Sequence, residues 1–292
     1  MFPSLLLLST FAADPAPPAP PSPAPGFRVA EGLQTPESVL YDAASDSYLV
    51  SNINGAPLDK DNNGYIAELS PDGKKLTRLV EGGKNGVTLN APKGSAVKDG
   101  VLYVADIDVV RMFERKTGAP KGEIAIPGVS FLNDVALGPD GMIYVSDSGL
   151  SPSFQPTGTD AIYKIQTGAA PTVSALVKSP DLHGPNGLLV TKDAVHVVVF
   201  GAAELQTYDL QGQKKGVSTL PGGGLDGIVA LGADVLVSSW GGKAVYRGQP
   251  GGTFTPVVST LEAPADIGYD TKRGRLLVPR FTGHAVEGWD LK

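Results

Sequence analysis

The sequence repeats one short pattern six times, and this repetition limits the folds that the chain can adopt. Each copy has a polar or small pair, an apolar segment, a turn, and a second apolar segment with a small or polar end. The copies start 39 to 56 residues apart, a spacing near that of a four-stranded propeller blade. They read PESVLYDAASDSYLVSN from Pro36, PKGSAVKDGVLYVAD from Pro92, LNDVALGPDGMIYVSD from Leu132, PNGLLVTKDAVHVVVF from Pro185, LDGIVALGADVLVSS from Leu225 and PADIGYDTKRGRLLVP from Pro264.

Each unit supplies four short segments with the alternation of β-strands, except the sixth, which lacks its outer strand. The segment Phe27–Leu33, just before the first repeat, is predicted to complete the sixth unit and close the ring. The 37 Gly and 25 Pro suit a turn-rich β protein. We therefore predict an all-β domain over residues 27–292, a six-bladed β-propeller with four-stranded blades. An open β-solenoid is the structural alternative.

The N-terminus reads as an export signal followed by a tether. Residues 1–13, MFPSLLLLSTFAA, resemble the apolar region of a signal peptide, although no cationic residue precedes it. Residues 14–26 form a Pro-rich linker of polyproline type. These features predict a periplasmic or secreted protein, and an apolar N-terminal tail is the alternative. The absence of Cys excludes disulfides and thiolate metal sites.

Charge and hydropathy argue against several partners. The net charge of −6 and the lack of any Lys/Arg run argue against nucleic acid. No apolar run reaches the roughly 18 residues of a membrane span, and no G-x-S-x-G motif is present. We expect a monomer that acts on a small molecule.

The second residue of each copy defines a column of mostly polar residues, which we call the axial column. In a propeller the innermost strand of each blade lines the central channel, so these residues should converge at one mouth. Its carboxylate and amide side chains form an all-oxygen donor set of charge −2 that suits a hard cation such as Ca²⁺. The alternative is that Asn-Gly and Asp-Gly are ordinary turn dipeptides. The column contains Glu37, Lys93, Asn133, Asn186, Asp226 and Ala265.

These motifs resemble the regucalcin/gluconolactonase family, whose general plan diisopropyl fluorophosphatase and the paraoxonases share. The resemblance runs from about Phe27 to Lys292 and rests on four short motifs in order: P-E-S, N-D, P-N-G and D-G. It implies a six-bladed propeller that holds a divalent metal over its channel and hydrolyses lactones or related esters. By motif, the family's metal ligands correspond to Glu37, Asn133, Asn186 and Asp226.

Lys93 departs from this family pattern because it occupies the same column. An ammonium group about 5 Å from a divalent ion would oppose its binding by roughly 6 kcal/mol at an effective dielectric constant of 20. Either Lys93 points away from the ion and holds a substrate carboxylate, or it replaces the metal and pairs with Glu37 and Asp226.

Three further side chains and one loop are candidates for the site. His183 should overhang the mouth and serve as a proton shuttle or substrate contact, unless it is a loop residue without a role. Asp134 and Asp266, one place beyond the axial column, are predicted to orient the ligands. The loop Asp59–Gly64 resembles the first half of an EF-hand calcium loop. Ser70 stands where an EF-hand has its final Glu, and a strand follows instead of a helix, so an EF-hand is excluded. A calcium site of another kind in this loop is the prediction that remains.

Two functions of different class follow. The first is an exported metal-dependent hydrolase of a lactone or related ester. In it, Asp226 or a water on the metal delivers the attack, and Asn133 and Asn186 hold metal and substrate. His183 or Lys93 assists proton transfer. The second is a propeller without enzymatic activity that binds a protein, peptide or glycan, with Lys93 in place of the metal.

Overall fold

Six antiparallel sheets of four strands each make up residues 24–291, the part of the chain that the computed structural model describes. This confirms the predicted six-bladed β-propeller. The proposed signal peptide and most of the linker lie outside the described residues. No helix within 24–291 has the length and apolar character needed to cross a membrane.

The first strand, β1 (Phe27–Val29), belongs to the last blade, and the other strands follow blade by blade. The first blade contains β2 (Pro36–Asp42), β3 (Ser47–Asn52), β4 (Tyr65–Leu69) and β5 (Leu76–Glu81). The second contains β6 (Pro92–Lys98), β7 (Val101–Asp106), β8 (Val109–Glu114) and β9 (Pro120–Ala125). The third contains β10 (Leu132–Leu137), β11 (Ile143–Asp147), β12 (Ala161–Gln166) and β13 (Thr172–Lys178).

The remaining blades repeat this arrangement. A short 3-10 helix, Pro180–Leu182, precedes the fourth blade. That blade contains β14 (Pro185–Val190), β15 (Val195–Val199), β16 (Glu204–Tyr208) and β17 (Lys214–Thr219). The fifth contains β18 (Leu225–Leu231), β19 (Asp234–Ser239), β20 (Ala244–Gly248) and β21 (Thr255–Val258). The sixth contains β22 (Gly268–Asp270), β23 (Arg275–Arg280), β24 (Ala285–Asp290) and β1.

The pairing of β1 with β24 closes the ring as predicted, with Phe27 opposite Gly288 and Val29 opposite Val286. The strand is shorter than the predicted Phe27–Leu33. It ends where Gly32 adopts a left-handed φ of +81° and Leu33 donates back to the Ala30 carbonyl, because this turn carries the chain into the first blade.

Apolar clusters fill the spaces between neighbouring blades. The second strands are covered on both faces, so β11 and β15 are buried throughout. Outer strands such as β9 and β17 face water over most of their length. This packing fixes the inner strands around a common axis, where the axial column lies.

Candidate functional site

The inner strands approach one another closely at the axis. Ser38 and Asp266 form a parallel bridge in which the Asp266 N–H donates to the Glu37 carbonyl at 2.9 Å. Between the fourth and fifth blades, a Cβ added to Gly187 would lie 2.9 Å from the Cα of Gly227. Glycine is therefore required one place beyond the axial column wherever the neighbouring backbone leaves no room.

A β-bulge accompanies the axial column in the first five blades. The pairing of inner and second strands shifts register at this position, for example between Pro36 and Ser38 and between Leu225 and Ile228. A bulge re-aims the side chain that it contains. Here it accounts for polar side chains that project into the channel mouth from strands whose other residues pack in the core.

The structure brings five axial residues together on the floor of one cavity of about 560 Å³. Ala265, the sixth, does not line it. All five are at most 6% exposed, so any charge among them is largely removed from water. The floor consists of Glu37, Lys93, Asn133, Asn186 and Asp226.

Three of the predicted metal ligands have a buried oxygen atom without a hydrogen-bond partner: Glu37 Oε2, Asn186 Oδ1 and Asp226 Oδ1. The amide Nδ2 of Asn133 donates a hydrogen bond to Ser148 Oγ at 3.0 Å, which leaves the Asn133 oxygen available as an acceptor. Buried oxygens without donors are costly unless another group binds them. The donor set therefore fits a hard divalent cation.

No group of three or more His, Asp and Glu side chains within 24–291 is arranged to hold a metal by itself. The candidate centre differs in kind, because two of its four donors are amides. Carboxylates and carbonyl oxygens together with water are the usual ligands of Ca²⁺.

The carboxyl groups around the axis have unusual proton affinities. Burial raises the pKa of Glu37 well above its usual value, and the charges of Asp226 and Asp266 add to the rise. Burial raises the pKa of Asp226 to about 7 despite a hydrogen bond from Trp240. Burial also raises the pKa of Asp134 to about 6. These shifts have a common first cause, because burial disfavours the charged form of each carboxyl group.

Lys93 does not pair with Glu37 or Asp226. Its Nζ donates to the carbonyls of Pro57 and Ala91, both at 2.9 Å, and lies 4.6 Å from the centre of the Phe131 ring. Burial lowers the pKa of this amine to about 8, while the charge of Glu37 acts in the opposite direction. The side chain is thus held by backbone oxygens beside the floor carboxylates.

His183 lines the cavity and is exposed at its mouth. It follows the last residue of the 3-10 helix and adopts a left-handed backbone conformation (φ +53°). Asp134 and Asp266 lie against the inner strands rather than in the cavity lining. Asp134 Oδ2 accepts from the Leu188 N–H at 2.7 Å, and Asp266 Oδ2 accepts from Ser38 Oγ at 2.6 Å. Asp134 thus holds the backbone two places beyond Asn186, and Asp266 holds the side chain of Ser38 next to Glu37; their hydrogen bonds do not reach the ligand side chains.

The loop Asp59–Gly64 connects β3 to β4 and packs on the second blade. Asn62 Oδ1 accepts from the Leu89 N–H at 2.9 Å, and Asp61 Oδ2 accepts from Asn63 Nδ2 at 2.6 Å. Three of its polar side chains are therefore engaged within the protein. A calcium site in this loop stays a prediction.

Polar residues at the end of the second strands hold the segments that lead into the axial column. Asp106 Oδ1 accepts from the Ala91 N–H at 2.8 Å, and Asp147 Oδ1 accepts from the Phe131 N–H at 2.9 Å. Asn52 Oδ1 accepts from the Gln34 N–H at 3.0 Å in the first blade. In the sequence these polar residues appear as the repeated endings VSN, VAD and VSD. Their hydrogen bonds fix the start of the strands that contain Glu37, Lys93 and Asn133.

The next position along the chain forms a second column, which the sequence analysis missed. Five of its six members line the cavity, and the last three are aromatic. Trp240 lies 5.7 Å from Phe200 and 5.2 Å from Phe281 between ring centres. We call these three residues the aromatic arc. The column contains Ile53, Ile107, Ser148, Phe200, Trp240 and Phe281.

Comparison with known proteins identifies the fold. No protein-family model matches this chain, and no curated protein matches its sequence. A gluconolactonase from Xanthomonas campestris superimposes with a TM-score of 0.68 at 17% identity, over 96% of this chain and 99% of the other. A calcium-binding protein, regucalcin from Agrobacterium tumefaciens, gives 0.66 at 18% identity, over 93% and 94%.

A virginiamycin B lyase from Staphylococcus aureus also superimposes, with a TM-score of 0.60 at 14% identity over 91% of this chain and 99% of the lyase. Proteins of different activity therefore share this architecture, and the function must be argued from the site. At these identities the comparisons establish that the chain has the six-bladed propeller fold of gluconolactonase and regucalcin.

Proposed function

We propose that this chain is a divalent-metal-dependent hydrolase of a lactone or related carboxylic ester, with Ca²⁺ as the favoured metal. The observation that carries the proposal is the convergence of three unpartnered buried oxygens, from Glu37, Asn186 and Asp226, on the floor of a 560 Å³ cavity. The fold shared with a gluconolactonase and a calcium-binding regucalcin supports it.

Glu37, Asn133, Asn186 and Asp226 would hold the metal, which supplies polarisation of the substrate carbonyl. Asp226 Oδ2 is fixed by Trp240 Nε1 at 2.7 Å, whereas Oδ1 has no partner. In hydrolysis the attacking water loses a proton. Oδ1 would bind the metal through one lone pair, and its other lone pair would accept this proton. Hydrolysis then breaks the acyl carbon–oxygen bond, and the leaving alkoxide must gain a proton.

His183 at the mouth and Lys93 on the floor are the two groups that could deliver this second proton. Two hydrogen bonds of Lys93 go to backbone carbonyls, so its ammonium is held in place beside the reacting centre. His183 is exposed and can exchange protons with solvent.

The alternative, a binding propeller without metal, depends on ion pairs between Lys93 and the floor carboxylates. Lys93 donates to Pro57 and Ala91 instead, so the geometry gives this alternative no support.

A calorimetric Ca²⁺ titration of chelator-stripped protein tests the proposal. We expect one site in the wild type, loss of binding in Glu37→Gln, and calcium-dependent hydrolysis of at least one member of a lactone and ester panel. Glu287→Gln is the matched control, since Glu287 is a buried carboxylate of the sixth blade that pairs with Arg280 outside the cavity. Equal binding in wild type and Glu37→Gln would place the metal elsewhere.

A further inference from the structure

The walls of the cavity differ in chemistry from its floor. The aromatic arc occupies equivalent positions in the fourth, fifth and sixth blades, and Ile53 continues it in the first. On the opposite side Phe131 and Phe154 meet edge to face, 6.5 Å apart and at 82°. Five aromatic rings therefore contribute to the wall above the axial residues.

Two of these rings face water in the free protein. Phe154 is 53% exposed and Phe200 is 40% exposed, which makes them two of the most exposed large apolar side chains in the described residues. Exposed apolar surface in a concave site gains stabilisation when a ligand covers it. The rings of the wall offer a hydroxyl group only weak hydrogen bonds, because the Trp240 N–H is already donated to Asp226.

Three polar side chains of the wall make hydrogen bonds within the protein. Ser148 Oγ accepts from Asn133 and donates to the Pro185 carbonyl at 2.7 Å. Asp160 Oδ1 accepts from the Gly184 N–H at 2.8 Å, and Glu204 Oε2 accepts from Gln206 Nε2 at 3.0 Å. A polyhydroxylated ring that packs on the aromatic arc would bury hydroxyl groups with few partners there, and each unpaired group weakens binding.

We infer that the substrate is a lactone or ester with an apolar alkyl or aryl substituent, which packs on the aromatic arc, and is not a sugar lactone. The inference rests on the hydrolase function proposed above. The carbonyl would lie at the floor and the substituent would extend along Phe200, Trp240 and Phe281 toward the mouth. The volume of about 560 Å³ lies within the roughly 300–1,000 Å³ typical of sites for ligands larger than a single small ring.

A matched series of γ-lactones in the presence of Ca²⁺ tests this inference. We expect kcat/KM to be on the order of 100-fold higher for γ-undecalactone, with a heptyl substituent, than for γ-valerolactone, with a methyl substituent, because each buried methylene adds to binding. Glucono-1,5-lactone should be the poorest substrate of the three. A preference for gluconolactone, or equal rates for the two γ-lactones, would overturn the inference and leave the hydrolase in place.

Variants of the aromatic arc test whether this selectivity arises from packing on Phe200. Phe200→Ala should lower the heptyl-to-methyl selectivity about tenfold, and Phe200→Leu should retain most of it. Val217→Ala is the control, because Val217 is 45% exposed on the outer strand β17 and does not line the cavity. Loss of selectivity in the control, or none in Phe200→Ala, contradicts packing on the arc.

Binding of an inert analogue separates this inference from the proposed function. Calorimetry should detect binding of 2-heptylcyclopentanone and should detect no binding of cyclopentanone at the same concentration. Binding of the heptyl ketone without hydrolysis of any lactone or ester would overturn the hydrolase and keep an apolar ligand site. Failure of both the ketone and the γ-lactone series would overturn both.

Discussion

Trp240 Nε1 donates a hydrogen bond of 2.7 Å to Asp226 Oδ2, and this contact joins the apolar wall of the cavity to its carboxylate floor. The orientation of the Asp226 carboxylate on the floor therefore depends on the position of Trp240 in the wall. The indole ring packs between Phe200 and Phe281, so the direction of its N–H is set by the wall. The carboxylate that it holds has its other oxygen unpartnered.

The first prediction concerns this contact. Trp240→Phe should keep an aromatic ring in the wall but release Asp226, and we expect Ca²⁺ affinity to fall by about 10-fold to 100-fold. Isothermal calorimetry measures the change. Trp289→Phe is the control, because the Trp289 indole is buried and its Nε1 has no partner, so its loss should leave the calcium Kd unchanged. Equal affinity in Trp240→Phe and wild type would show that the contact does not orient the ligand.

Substitution of Asp226 tests the proposed base directly. Asp226→Asn should lower kcat/KM roughly 100-fold or more, because the amide cannot accept the proton of water. The melting temperature without calcium should not fall, since the change removes a buried carboxyl group whose pKa burial raises to about 7. Asp193→Asn, at an exposed position, should behave as wild type. Full activity in Asp226→Asn would contradict the mechanism.

Replacement of Lys93 should have opposite effects on Ca²⁺ binding and on hydrolysis. Lys93→Met removes a positive charge beside the metal donors, so Ca²⁺ should bind at least tenfold more tightly, while hydrolysis should slow because the ammonium no longer assists. Lys98→Met is a matched control on the same strand, since Lys98 also donates to a backbone carbonyl, that of Gly141, away from the cavity. Unchanged calcium affinity in Lys93→Met would show that the ammonium does not oppose the metal.

Most of the fold could be predicted from the sequence because the repeat is local. The pattern from Pro36 to Asn52 recurs with its turn and strand ends, and the segment before it has no partner except the sixth blade. The convergence of Glu37 and Asp226 followed from the symmetry of a propeller. What the pattern could not show is the bulge at the axial position of the first five blades, because a register shift depends on how two strands pair.

The wall of the site was missed for a different reason. Phe200, Trp240 and Phe281 each follow a second strand, and the sequence contains this regularity. Aromatic residues at strand ends usually belong to the core, however, so their position alone does not indicate a cavity. The partners of Lys93 were also hidden, because the Pro57 carbonyl comes from a loop of the preceding blade.

The close approach of inner strands gives a prediction about folding stability. Gly94→Ala would place a Cβ 2.6 Å from the Cα of Asp134, so the neighbouring blade must move, and we expect a loss of about 3 kcal/mol in the free energy of unfolding. Gly216→Ala is the control, because a Cβ there meets no atom within 4 Å, and its effect should stay within about 0.5 kcal/mol. Urea unfolding measures both, and equal midpoints would contradict tight axial packing.

The last prediction concerns pH and the first two blades. Arg115, which follows β8, donates to Asp42 Oδ2 at 2.7 Å and to Glu68 Oε1 at 2.6 Å in the first blade. Burial acts to raise the pKa of Asp42, but hydrogen bonds from Ser45 and Arg115 outweigh it and hold the pKa below 3.8. The pKa of Glu68 is likewise lowered: hydrogen bonds from Arg115 and Ser47 outweigh its burial.

A carboxyl group whose pKa is lowered by folding stabilises the protein above its unfolded pKa, near 4, and this stabilisation is lost as the pH falls through the folded pKa. Arg115→Met should therefore cost roughly 3 kcal/mol at pH 7, because it leaves Asp42 buried without its cation. The difference from wild type should shrink below about pH 4 as the carboxylates take up protons. Lys60→Met, which breaks an exposed pair with Asp108, should cost less than about 1 kcal/mol at pH 7. A cost for Arg115→Met that stays constant from pH 7 to pH 3 would show that these carboxylates do not depend on Arg115.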